Sequence, residues 1–178
     1  MKKLLSLIIL TNLISCQTQV SKKIETSLED TDKIELATKF LNGMDQYNNN
    51  VKLVDQEFTQ FENGDLQKMF DSATEDLVWS SPAGDSLSKE AWMEGMKEWQ
   101  EGFKNFKFVN RDYYPSVDDS LFLPNGGVRS YGNWKFTHKE TGIEFDVPYY
   151  SVQSFDDKGN TNFILEMFDS GSIFLKLQ

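Results

Sequence analysis

Histidine is almost absent from this chain: His138 is the only one in 178 residues. One imidazole gives too little for a His-built metal site, and it leaves the serines, Ser81 and Ser88 included, without a partner for a hydrolase triad. His138 adjoins Lys139-Glu140-Thr141-Gly142, which reads as a hairpin turn, so it belongs at the surface. Cysteine is as scarce. Cys16 is the sole thiol, which rules out an internal disulfide, and a domain of this length can bury a core without one. No Gly-rich loop carries Lys with Ser or Thr, so no phosphate cradle is expected; Gly126-Gly127 reads as a turn before a strand. Basic residues are outnumbered, 18 against 28 acids, for a net charge of −10, and no basic stripe is visible. Such a surface repels phosphate backbones and excludes nucleic acid as a partner. No metal and no cofactor are expected.

The one long apolar run lies at the start. Met1-Lys2-Lys3 is basic, and Leu4 to Ile14 is mostly Leu and Ile, shorter than the roughly 20 residues a membrane-spanning helix needs. This is the pattern of a secretory signal. It ends in Leu13-Ile14-Ser15-Cys16, which resembles a bacterial lipobox. The resemblance implies a signal peptide over residues 1–15, cleavage before Cys16, lipid on that thiol, and membrane attachment through the lipid alone. Gln17 at the second mature position resembles the outer-membrane sorting preference, facing the periplasm where the host has two membranes. Residues 16–32 are polar and read as a flexible tether, and 33–178 as one domain.

Aromatic residues are plentiful, with 14 Phe, 6 Tyr and 4 Trp, so a real core is expected. Lys33 to Tyr47 has helical spacing, Asn48-Asn49-Asn50 interrupts or weakens it, and Val51, Val54, Phe58 and Phe61 resume it. Asn63-Gly64 closes that helix and Asp65 to Phe70 forms a short second one. Asp76 to Ser81 reads as a strand. Ser88 caps a helix from Lys89 to about Gly102, with Trp92, Met96, Trp99 and Phe103 on one stripe. Strands follow over Phe106–Val117, Val128–His138, Ile143–Phe155 and Thr161–Asp169, and Ile173, Leu175 and Leu177 alternate as a last edge. Pro148 requires an edge or a bulge in its strand.

This order resembles the nuclear transport factor 2-like superfamily, and its SnoaL-like branch in particular. Phe155-Asp156-Asp157-Lys158-Gly159, then Phe163-Ile164-Leu165-Glu166-Met167-Phe168-Asp169, is similar to that branch's last hairpin, with Met167 in place of an aromatic and a turn one residue longer. Phe61-Glu62-Asn63-Gly64-Asp65-Leu66 resembles its break between the first helices. The resemblance covers about Leu53 to Asp169. It implies an α+β cone: about three helices wrapped by a strongly curved, mostly antiparallel sheet, with an apolar pocket at the open end. Members include isomerases, dehydratases, cyclases and epoxide hydrolases, and fold does not choose among them.

Acid–base work in such a pocket needs a desolvated carboxylate. Glu166, between Leu165 and Met167, is the first candidate; the alternative is that it faces solvent or pairs with Lys or Arg. Asp146 is the second, and it is merely exposed if the sheet buries the face of Phe145 and Val147. Asp169 matches the motif's final Asp and suits a structural role, capping the strand end and bonding to the next segment. Trp79, Trp92, Met96, Trp99, Trp134, Tyr149 and Tyr150 are candidates for core or pocket wall. The catalytic sets of the dehydratases, epoxide hydrolases and steroid isomerases are not recognisable. Binding of a small apolar or amphipathic molecule is therefore the leading expectation. A carboxylate-using isomerase, dehydratase or cyclase is the alternative, and a homodimer or interaction scaffold built on the outer sheet face is the third.

Overall fold

The computed structural model describes residues 30–178. The expected signal peptide, Cys16 and most of the expected tether lie outside the described residues. The chain divides into two compact units, residues 1–41 and 42–178. Of the first, the described part is the opening of a helix, with an exposed Lys39–Glu35 ion pair at 2.7 Å one turn apart. The second unit holds the whole sheet and the remaining helices. No helix among the described residues is long and apolar enough to cross a membrane.

Helix α1 runs Asp30–Asn63 without a break. Contrary to expectation, residues 30–32 are helical rather than tether, and Asn48-Asn49-Asn50 does not interrupt the helix. Asn50 is buried and its Nδ2 donates to the Gly126 carbonyl at 2.9 Å, so a poor helix former is retained for a tertiary hydrogen bond. The helix ends at Gly64, whose φ of +73° lets the chain turn while Asp65 N–H returns to the Gln60 carbonyl at 2.9 Å. α2 (Leu66–Asp71), β1 (Ala73–Ser80), β2 (Ser86–Leu87) and α3 (Lys89–Gly102) come next. Ser88 caps α3, its side chain accepting from Ala91 N–H.

The rest is β3 (Phe103–Val117), β4 (Pro124–His138), β5 (Glu144–Phe155), β6 (Thr161–Met167) and a closing helix α4 (Ser170–Lys176). Gly126-Gly127 thus lies within β4, not ahead of it. The tail is a helix rather than an edge strand: Asp169 caps it through Ser172 N–H at 2.9 Å, and Ile173 is fully buried. The sheet has six strands in the order β2-β1-β6-β5-β4-β3, antiparallel except for the β1–β6 pair. Pro148 falls just past the end of the β5–β6 ladder, which stops at Tyr150↔Met167, so its missing N–H removes no bond on that side.

Curvature comes from β3. Its register slips between Lys104 and Lys107 and between Val109 and Asp112, and each slip holds an asparagine at positive φ, Asn105 at 59° and Asn110 at 55°. Such bulges bend a strand and increase its twist. Gly132 opposite lets the bend close, because a Cβ there would stand 2.6 Å from the Phe108 ring. The bent sheet wraps the later part of α1, where Val54, Phe58 and Phe61 are buried, and the aromatic side chains fill the space between. Phe58, Phe108, Trp134 and Tyr149 pack in one group, and Trp99, Phe103, Phe136 and Phe145 in another.

Candidate functional site

Alternation on β5 puts Phe145, Val147, Tyr149, Ser151 and Gln153 on the inner face, all buried. On β6, Ile164 and Glu166 share that face, since Gln153 pairs with Ile164 and Ser151 with Glu166. On β1 it is Leu77 and Trp79, the latter paired with Ile164. Glu166 therefore lies on an inner strand, between Trp79 from one neighbour and Tyr149 from the other. Trp79 Nε1 donates to its Oε2 at 2.7 Å, and the Tyr149 hydroxyl donates to its Oε1 at 2.7 Å.

These residues line a cavity of about 440 Å³ between the sheet, α1 and α3. Its walls are mainly apolar and rich in aromatic rings. Trp79, Trp92, Met96, Trp99, Trp134 and Tyr149, candidates for core or pocket wall, all contribute. Tyr150 does not. It sits on the outer face with its ring 4.8 Å from that of Tyr131, because a strand sends successive side chains to opposite sides. Asp146 is on the outer face too, taking a hydrogen bond from Asn133 Nδ2 at 2.9 Å and an ion pair from Lys135 at 3.3 Å. Phe145 and Val147 are the buried neighbours, so Asp146 is an exposed cross-strand partner and not a pocket acid. His138 closes its hairpin through Thr141 Oγ1 at 3.0 Å, away from the cavity.

Burial pushes the Glu166 carboxyl above its ordinary range, and the two hydrogen bonds pull it back only in part. Glu166 keeps some accessible surface while lining the cavity, yet its carboxylate is enclosed by protein, so the enclosure governs its protonation. Burial, then the neighbouring Glu166 charge, holds Tyr149 far above the phenol range, so it remains a donor.

A second carboxylate in the wall is absent from the sequence candidates. Glu57 of α1 is 6% exposed. Its Oε1 accepts from Ser72 Oγ at 2.7 Å and Thr161 Oγ1 at 3.0 Å, and its Oε2 from Gln153 Nε2 at 2.7 Å. Burial raises it as well, against three hydrogen bonds that lower it. Its spacing was the available signal: it stands three residues after Val54 and four before Phe61, inside the apolar stripe of α1. The site can therefore hold a largely apolar molecule and offer it two desolvated carboxyl groups, each held in orientation by hydrogen bonds to both of its oxygens.

A 1.50 Å structure from Xanthomonas campestris described as a candidate polyketide cyclase superposes with a TM-score of 0.61 at 12% identity, over 75% of this chain and 99% of that one. A candidate SnoaL-like polyketide cyclase from Shewanella denitrificans gives 0.58 at 15%, over 72% and 98%. A candidate isomerase from Bacillus subtilis gives 0.55 at 16%, over 71% and 88%. The chain has the SnoaL-like, nuclear transport factor 2-like fold. At these identities the likeness establishes the cone and not its chemistry. No family model matches the sequence and no curated protein matches it. The cone's mixed α+β layering and curved six-stranded sheet agree with the expectation from sequence.

Proposed function

We propose that this SnoaL-like domain is the ligand-binding part of an exported lipoprotein, held at a membrane by lipid on Cys16, and that its cone takes up a small, largely apolar or amphipathic molecule. One observation carries the binding role: an aromatic-walled cavity of about 440 Å³ with an oriented, enclosed carboxylate in its wall. Cavities of this kind bury most of a small ligand's surface and use a few placed polar groups to orient it. The test is a thermal-shift screen of the full chain against small apolar and amphipathic molecules. A ligand present at about 100 times its dissociation constant stabilises by about 2.7 kcal/mol. A broad screen in which nothing shifts the protein counts against the role. Lipid attachment is tested separately: labelled fatty acid enters the wild type and not Cys16→Ser, and equal labelling of both overturns the anchor.

Proton transfer is the second reading, favoured by the raised affinity of Glu166 for its proton. A carboxylate so placed can take a proton from a carbon beside a carbonyl, leaving an enolate, and return it to another carbon, with the carboxyl neutral between the two steps. Tyr149 and Trp79 hold its two oxygens in place. Exchange of such a C–H for deuterium in a bound ketone tests it. Wild type should exchange the position and Glu166→Gln should bind without exchange; equal exchange rates eliminate the catalytic role.

A further inference from the structure

The ionisable wall of the cavity carries one sign of charge. Glu57 and Glu166 sit within it and Asp85 and Glu98 are exposed at its solvent side, while among the described residues no Lys, Arg or His lines it. Neither inner carboxylate has a cationic partner among its hydrogen bonds: Glu166 is held by Trp79 and Tyr149, and Glu57 by Ser72, Thr161 and Gln153. Elsewhere the fold does pair its acids. Asp55 and Glu62 bind Arg111, Glu75 binds Lys89, and Asp146 binds Lys135. Gln153, only 3% exposed, turns its Nε2 to Glu57, and its Oε1 has no donor among the described residues. The wall is thus rich in acceptors; its Trp79 and Tyr149 donors are already engaged, and the Ser81 hydroxyl is the one buried donor in the lining left without a partner among the described residues.

The apolar part of the wall has the matching character. Trp79, Trp92, Trp99 and Trp134 contribute indole rings, and Phe residues fill between them. The face of an aromatic ring is the negative part of its quadrupole and attracts a cation, indole most strongly. An enclosed carboxylate without a cation is costly. A positive group on the ligand relieves that cost, a neutral one leaves it, and an anionic one adds to it.

We infer that, within the binding role proposed above, the cavity selects an organic cation: a largely apolar molecule whose protonated or quaternary amine lies against Glu166 and the surrounding aromatic faces. The exposed Asp85 and Glu98 draw such a ligand in and discourage anions.

The experiment compares three probes of one shape on the full chain by calorimetry: naphthylethylamine, naphthylethanol and naphthylacetate. The amine should bind about tenfold or more tighter than the alcohol, and the carboxylate weakest. Added salt should weaken the amine and leave the alcohol unchanged, a comparison that needs no variant. In Glu166→Gln the amine's advantage over the alcohol should shrink to within about threefold, whatever the variant does to the two affinities in common. Equal binding of amine and alcohol, or preference for the carboxylate, overturns the cationic selectivity and leaves the cavity's binding role standing. If none of the three binds, both fall.

Discussion

Two carboxyl groups in this domain bind their protons more tightly in the folded chain than free in water. Burial raises both Glu57 and Glu166 above 4.5. The folded state therefore holds more protons than the unfolded one over the window from 4.5 up to each raised value, and stability falls as pH rises through it. Asp55 and Glu62 act in the opposite sense, since Tyr113, Arg111 and the Phe108 N–H hold them below their ordinary range, and their contribution is lost as pH falls. Glu57→Gln removes one of the two destabilising ionisations. Its urea midpoint should decline less than that of wild type between about pH 5 and 8. Parallel curves would mean that Glu57 ionises alike in the folded and unfolded states, against a carboxyl raised by burial. Glu166 was legible because Leu165 and Met167 flank it in a strand. Glu57 was not, since Asp55 and Gln56 make its surroundings look solvated, and only its helical spacing betrays it. Asp146 and Tyr150 were misplaced for one reason: a strand assigns faces by parity, and the buried parity became known only once the sheet was seen to close on Phe145, Val147 and Tyr149.

At the scale of elements, α1 is seated by close approach and by charge. Gly43 lies so near β4 that a Cβ there would be 1.8 Å from the Pro124 carbonyl oxygen, which is backbone and cannot swing away. Gly43→Ala should therefore lower stability by about 1–3 kcal/mol in urea titration, although alanine favours a helix. A neutral or stabilising result would show that helix and strand can separate there at no cost. Further along, Arg111 of β3 reaches both Asp55, at 2.7 Å, and Glu62. Glu62 is only 9% exposed, so Arg111→Met leaves it short of its main partner, with Lys107 at 3.1 Å remaining. A loss of about 1–3 kcal/mol is expected, and adding Glu62→Gln should recover part of it. If the double variant is no better than the single one, the cost is lost packing of the Arg111 stem. The helices and long strands were readable from period and caps. The closing helix was not, because Ile173, Leu175 and Leu177 alternate like a strand while the deciding interaction, the Asp169 cap, looks in sequence like the end of the strand before it.

For the molecule as a whole, the excess of acids, net charge −10, has a local counterpart in a cavity whose ionisable lining is acidic and whose two inner carboxyl groups, Glu57 and Glu166, resist ionisation. Resistance and selectivity are linked. An amine bound beside Glu166 favours the ionised carboxylate, so it must lower the proton affinity that burial raised, and by reciprocity protonation of Glu166 must weaken the amine. Amine affinity should therefore climb as pH rises from 4.5 through the raised value of Glu166, level off once the carboxylate is fully charged, and fall again where the amine itself loses its proton. A quaternary analogue, unable to lose a proton, should show the climb without the fall. The matched alcohol should show neither limb. Calorimetry of amine, quaternary analogue and alcohol across that range separates a carboxylate that recognises charge from one that only lines a greasy hole. A flat amine profile coincident with that of the alcohol would place the cation away from Glu166.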